Sequence, residues 1–573
     1  MTKLEESKMK DLLKQIYDKV IQGKDIKIKT SIKVNEIIKE DINQSIIVFL
    51  TMNIKNRALV VRGEGETLEE SIENAITIYM NEFLNEFSPN AVKLDIVYDL
   101  KKENDKFGIN QDKLKYKRGI EGISFDENLE TAFLPQEITA YNLIKKRKIN
   151  KVNSLKAKSH HPKNASLKFA DILDRTKKVE LYKFKTKAYY YDNDTFAELY
   201  RGHQIFRDIN KEDLWNAIEL SKNNYFKNVV NKKGKFIYIY QPHNNVKEKK
   251  YNILRHAGTT YSMLETYELI PDKEVLNLAD KALEFLINKQ ETVYVKKKPY
   301  NVVVERDYYK LGGNALAIVA MAKYTQITGD YKYLENMQSM AGWMKETQDK
   351  KGRFTAHKQC FSTGKIEDFT SHYYPGETIL ALVRLYQVDK NEKWLDVAER
   401  AAKYLIQIRD KSATIDTIAH DHWLLYALND LYRERKNKIY LKHSLFIAEA
   451  IMKTQIKEGE ARAELVGGYT PKSGNEPKST PVACRSEGLS ATYKLAKDNN
   501  YLEEAKRMKQ AINDGIQFQM QMQLRPESAM YYYNKELCLG AVHSGLVGFE
   551  IRNDYTQHNI SSFIAYYNIL NNS

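Results

Sequence analysis

Apolar residues in the C-terminal two-thirds of the chain recur at helical spacing, in pairs of helices that differ in character. Around 393–405, Trp394, Val397, Ala398, Ala401, Tyr404 and Leu405 share one face, while Glu392, Asp396, Glu399, Arg400 and Lys403 share the other. Such a helix is wet on one side and packed on the other. The helix before it, "GETILALVRLYQ", is apolar nearly all round, as is "HWLLYALNDLY". That pattern predicts an inner helix packed on both flanks.

The pairing repeats. A Tyr near the end of one helix is followed by a short polar link with Asp or Asn, and an aromatic-Leu pair then opens the next helix: Tyr333-Leu334, Trp394-Leu395, Tyr440-Leu441 and Tyr501-Leu502. Residues 265–286 are a fifth copy, with Val275-Leu276 in the aromatic's place. With a first outer helix over 210–230 and a last inner helix over 557–570, the pattern predicts a ring of six helical hairpins. Short links imply antiparallel neighbours. The return segments are longer and read as β-hairpin loops, including those at 234–252, 352–377, 467–488 and 528–545. They gather on the rim that holds the N-terminal ends of the inner helices, which places function there.

The N-terminal third follows another rhythm. An amphipathic helix over 1–23 carries Leu4, Met9, Leu12, Leu13, Ile16, Val20 and Ile21 on one side. A strand pair, a Thr67-capped helix over 67–87, another strand and a helix from Pro135 follow. The expected organisation is a small α+β domain at 1–150, a basic linker with strands at 151–205, and the ring at 206–573. The first of these carries no motif that assigns it a role and is a candidate surface for a protein partner.

Composition narrows the function classes. Of 573 residues, 42% are hydrophobic and 29% charged, ordinary for a chain with a real core. No apolar run reaches the roughly 18 residues of a membrane helix, and the charged N-terminus has no signal core, so the expected compartment is the cytoplasm. The net charge of +15 is spread along the chain, which argues against a nucleic-acid partner. The three cysteines, Cys360, Cys484 and Cys538, lack C-x-x-C spacing, so a disulfide framework is excluded. Nucleotide-cofactor loops, H-E-x-x-H and G-x-S-x-G are absent; no cofactor and no metal are expected.

The hairpin repeat resembles the (α/α)6 toroid of the six-hairpin glycosidase superfamily, which includes unsaturated glucuronyl hydrolases, N-acylglucosamine 2-epimerases and several polysaccharide lyases. The resemblance covers about residues 205–573 and implies a mainly α toroid with β-hairpin loops; it carries over no catalytic role. Each inner helix opens with polar groups at one structural level. Glu377, Asp421, Glu487, Asp554 and His558 are the acid–base candidates. Arg255, Arg485 and Arg552 suit an anionic group. His256, Tyr309, Asn314, Tyr373, Tyr374, His422, Trp423, Tyr555 and Gln557 complete the expected substrate contacts. Glu377 and Asp421 also fit plain helix-start roles. The expected activity is acid–base chemistry on an acidic sugar or oligosaccharide, by hydrolysis or epimerisation. The alternatives are a non-catalytic glycan- or peptide-binding toroid that docks a partner through residues 1–150, and a zinc enzyme using Cys484, Cys538 and His543.

Overall fold

The structure is a computed structural model that describes residues 2–38, 45–83, 88–109, 112–174, 178–469 and 476–572. The ends of two expected elements, 84–87 and 470–475, lie outside these residues. In the N-terminal part, alternating side chains build an antiparallel sheet. Strands β1 (Ile46–Ile54) and β2 (Arg57–Gly65) form a tight hairpin in which Ile54 faces Arg57. With β3 (Ala91–Lys102), β4 (Gly122–Ser124), β5 (Tyr182–Tyr191) and β6 (Phe196–Leu199), the order is β2-β1-β3-β5-β4, and β6 also pairs with β5. Every second residue points to one face. There Val48, Leu50, Met52, Leu59 and Val61 meet Met9, Leu12, Leu13 and Ile16 of helix Lys3–Val20, and Ile72, Ala75, Ile76 and Tyr79 of helix Leu68–Glu82. Leu4, expected on that apolar face, is exposed.

The stretch read as a basic linker, 151–205, is folded. It holds helices Lys151–Lys158 and Lys163–Asp174, and its strands β5 and β6 complete the N-terminal sheet instead of leading separately into the ring. Two of its basic groups are absorbed locally. Buried Lys158 donates to the Ala132 carbonyl, and His161 Nε2 lies 2.8 Å from Glu137 Oε1. A buried cation or imidazole persists only with such partners.

The ring closes. Inner helices one to six are Ile253–Leu269, Leu311–Thr328, Tyr374–Asp389, His422–Glu434, Ser479–Asp498 and Asn553–Asn571; each packs on the next and the sixth packs on the first. Outer helices Lys273–Ile287, Leu334–Glu346, Glu392–Tyr404, Lys438–Lys453 and Leu502–Met520 lie behind them. The first outer helix, Lys211–Leu220, continues through a π-turn over Ser221–Phe226. The link aromatics tie the hairpins by their polar ends as well as by their rings. Tyr333 donates to Asp280 Oδ1 (2.7 Å), Trp394 to Asp389 Oδ2 (2.9 Å) and Tyr440 to Glu399 Oε1 (3.2 Å).

The long return loops do carry β-structure. Strands Gln290–Val295, Lys298–Glu305, Tyr308–Lys310 and Lys358–Cys360 form one sheet on the rim; Val246–Lys247, Ile239–Gln241, Gly548–Arg552 and His543–Gly545 form another. The segment 526–538, expected in a hairpin, instead forms the short helices Pro526–Ala529 and Lys535–Cys538. Its Lys535 donates to Ile54 O and Asn53 Oδ1, joining ring and N-terminal sheet. Among the described residues no helix is long and apolar enough to cross a membrane.

Candidate active site

A cavity of about 740 Å³ opens where the inner helices begin. Helix geometry accounts for what faces it, because the first turn of each inner helix is free of packing on its own N-terminal side. Of the expected residues, Arg255, Tyr373, Tyr374, Glu377, His422, Trp423, Arg485 and His558 line it. Two more stand directly behind. Glu487 shares a 2.8 Å hydrogen bond with His558 Nδ1, and Asp554 receives Arg255 Nε at 3.2 Å.

Glu377 sits one turn into inner helix three, where its own helix and inner helix two press around it. It is 2% exposed, and its Oε2 has no partner among the described residues. Burial pushes its carboxyl up to about 8; Arg255 opposes that shift and Asp421 adds to it. Gly312 on inner helix two makes the placement possible. A Cβ there would stand 2.1 Å from Glu377 Oε2 and 2.4 Å from Tyr374 Cδ1.

At the same cavity, His422, Cys484, Glu487 and His558 bring one donor atom each to within 4.8 Å of one another. The two imidazole rings lie 5.2 Å apart, edge to face. Burial drives both rings toward the neutral form and holds the Glu487 carboxyl toward the neutral acid. Both ring nitrogens of His422 are buried without a hydrogen-bond partner among the described residues. Cationic side chains flank this wall. Arg485 is held by His420 Nδ1 (3.0 Å) and the Pro481 carbonyl (2.8 Å), and Lys310 lies 3.5 Å from Glu305.

Several expected contacts point elsewhere. His256, next to Arg255, is rotated about 100° around the helix and stacks on Phe285 with Nε2 at the Ala282 carbonyl. Tyr309 packs edge-on against Trp343, and Asn314 accepts from the Val303 N–H of the rim hairpin. Gln557 is buried against Gly258. Arg552 grips Asp554 and stacks on Tyr555, whose hydroxyl donates to Glu550. Asp421 caps inner helix four by accepting the Leu424 N–H, and burial lifts its carboxyl to about 7. Asp554 therefore positions Arg255, and Asp421 is a cap outside the cavity lining. The trio Cys484, Cys538 and His543 does not assemble among the described residues: Cys538 is buried in helix Lys535–Cys538, and His543 turns its Nδ1 to the Gly545 carbonyl. Lys310, Asp416, Thr417 and Thr480 also line the cavity. Lys310, Asp416 and Thr417 belong to return loops, whose course no helical period predicts, and Thr480 stands in the first turn of inner helix five.

The sequence family described as Beta-L-arabinofuranosidase, GH127 catalytic domain, matches residues 287–518, about two-fifths of the chain. The match takes in inner helices two to five, so Glu377, His422, Cys484 and Glu487 fall inside it while Arg255 and His558 fall outside. No curated protein matches the chain. Similar solved structures include a D-mannose isomerase (13% identity, 64% of this chain and 100% of that one, TM-score 0.48). A cellobiose 2-epimerase from Spirochaeta thermophila DSM 6192 shares 13% identity over 63% of this chain and 96% of that one, with TM-score 0.46. An unsaturated glucuronyl hydrolase specific for heparin shares 12% over 63% and 97%, with TM-score 0.44. The ring is an (α/α)6 toroid of six helical hairpins, and over residues 287–518 this chain is similar to the GH127 β-L-arabinofuranosidase catalytic domain.

Proposed function

We propose that the protein is a glycoside hydrolase acting on an acidic sugar or oligosaccharide, with Glu377 as the general acid. The observation that carries this reading is the state of Glu377: it lines the cavity and is buried, and its carboxyl, raised to about 8, keeps its proton at neutral pH. A protonated carboxyl beside a sugar cavity is what protonation of a leaving-group oxygen requires. His558, which lines the same cavity, supplies the proton acceptor for water. His558 is neutral and has its Nδ1 held by Glu487, an arrangement that orients the ring. Arg255, Lys310 and Arg485 on the cavity wall favour an anionic substituent, helped by the positive ends of six inner-helix dipoles. Tyr373 and Trp423 offer faces for sugar rings.

A second reading has one observation in its favour. Two neutral imidazoles 5.2 Å apart in the same wall suit proton removal and return at a carbon beside a carbonyl, which is epimerisation. The two readings separate in deuterated water against uronic-acid and amino-sugar oligosaccharides, followed by mass spectrometry. Cleavage with gain of one water supports the hydrolase. Deuterium uptake without cleavage replaces it with the epimerase. Silence across the panel, with Glu377→Gln binding sugars as the wild type does, removes both and leaves a binding toroid.

A further inference from the structure

We infer that the substrate is an acidic oligosaccharide whose far sugars run past Arg485 into a second cavity, where Arg118 of the N-terminal part and Lys478 of the ring take a further anionic group. The inference rests on the hydrolase reading for the bond that is cleaved. It gives the N-terminal part a share in choosing the substrate.

Three observations carry it. The first is continuity. The second cavity, of about 840 Å³, shares Pro481 and Arg485 with the catalytic one. Its size falls within the roughly 300–1,000 Å³ of ligand pockets. Arg485 is fixed at the junction: besides its bonds to His420 and the Pro481 carbonyl, its guanidinium lies 5.1 Å from the centre of the Tyr469 ring.

The second is polar capacity left unused. Arg118 and Lys478 are exposed where they line this cavity, and neither side chain has a hydrogen bond or ion pair among the described residues. The acidic residue of the lining, Glu476, is already engaged by Arg462 and, at 3.5 Å, by Arg201. Cations facing a neutralised carboxylate favour an anionic ligand. Tyr469, 3% exposed in the same lining, has a buried hydroxyl with no hydrogen-bond partner among the described residues. A buried hydroxyl left unpaired is costly, and a sugar hydroxyl removes that cost.

The third is a fixed joint between the two parts of the chain. Arg118 stands on a tight turn just before β4, in which the Ile120 and Glu121 N–H groups donate to the Lys117 carbonyl at 3.0 and 2.9 Å. Gly119 follows with φ +78°, a left-handed conformation that suits glycine. A Cβ there would stand 3.4 Å from Val547 Cγ1, so the turn rests on a rim loop that lines the second cavity. Behind it, the buried Arg201 side chain reaches Glu464 at 3.4 Å and Glu476 at 3.5 Å. A preformed wall binds without the cost of ordering a loop.

The test uses the full-length protein with a uronic-acid disaccharide, the corresponding hexasaccharide and a neutral hexasaccharide. The wild type is expected to cleave the acidic hexasaccharide with a higher kcat/KM than the disaccharide, because remote contacts add binding energy. In Arg118→Ala and in Lys478→Ala that hexasaccharide-to-disaccharide ratio falls about three- to fivefold, and about tenfold in the double variant. Added salt narrows the wild-type ratio. Circular dichroism checks that these surface variants fold. An unchanged ratio in the double variant overturns the second cavity and keeps the hydrolase. Equal losses on disaccharide and hexasaccharide overturn it as well, because they place the cations against the first sugars. So does a neutral hexasaccharide that loses as much as the acidic one. If no probe is cleaved, the hydrolase reading fails and calorimetry decides the cavity. Hexasaccharide binding weakened about tenfold in the double variant keeps it, and binding that is absent or unaltered removes it.

Discussion

Glu377→Gln is the substitution on which the chemistry turns, and the structure sets its size in two independent ways. The carboxyl titrates near 4.5 in an exposed chain and near 8 when buried here. Between those values the folded protein holds a proton that the unfolded chain has released, so the raised pKa costs stability as pH rises. That stability is complete below about 4.5 and gone above about 8. The shift corresponds to roughly 5 kcal/mol at about 1.4 kcal/mol per unit, an upper bound. Glutamine has nearly the same shape and cannot ionise. Urea unfolding of both proteins from about pH 5 to about pH 9 should therefore show the variant gaining on the wild type by several kcal/mol across this interval. Other raised carboxyls cancel in that difference. Catalysis gives the second measure. Loss of a general acid costs about a hundred- to ten-thousandfold, or about 3–5 kcal/mol of barrier. The loss should be confined to substrates with poor leaving groups, while an activated aryl glycoside is cleaved at close to the wild-type rate. Wild-type cleavage should also decline as pH passes about 8, when the acid loses its proton. Parallel stability curves for the two proteins would refute the buried acid. Equal rates on a natural glycoside would refute its catalytic role.

Three further substitutions probe the same cavity. Gly312→Ala puts a methyl group against Glu377 Oε2 and Tyr374, and overpacking of this kind costs about 1–3 kcal/mol; chemical unfolding and kcat should fall together. Asp554→Asn leaves Arg255 and Arg552 facing a neutral group. Breaking a buried pair costs about 3–5 kcal/mol, but these arginines are 31% and 27% exposed, so a loss of about 1–3 kcal/mol is expected, with a raised KM as Arg255 loses its orientation. Tyr373→Ala, at a position 46% exposed on the cavity mouth, should leave stability within about 0.5 kcal/mol and weaken sugar binding in calorimetry.

The sequence by itself determined the ring. Period-3.6 faces separated wet outer helices from all-apolar inner ones, and the Tyr333, Trp394 and Tyr440 links marked where hairpins turn. Both signals are local and survive in one dimension. It also placed the long loops and the polar first turns together on one rim, which is where the cavity opens. What it left open was rotation and distance. Arg255 and His256 are neighbours in sequence, yet about 100° of helical rotation sends one toward Asp554 and the cavity and the other against Phe285. Glu377 and Asn314 both sit one turn into an inner helix. A rim strand claims the Asn314 side chain through Val303, while Glu377 Oε2 has no hydrogen-bond partner among the described residues. The basic stretch after residue 150 read as a linker because Lys158 and His161 find their partners, Ala132 and Glu137, only in the folded chain. The cluster of His422, Cys484, Glu487 and His558 is the clearest case. Its members span three helices, and their meeting depends on the closure of the ring, which brings the sixth inner helix beside the first and the fifth. Helical period is written residue by residue; the angle at which each packed helix settles is decided by its neighbours, and that angle chooses which side chains share the cavity.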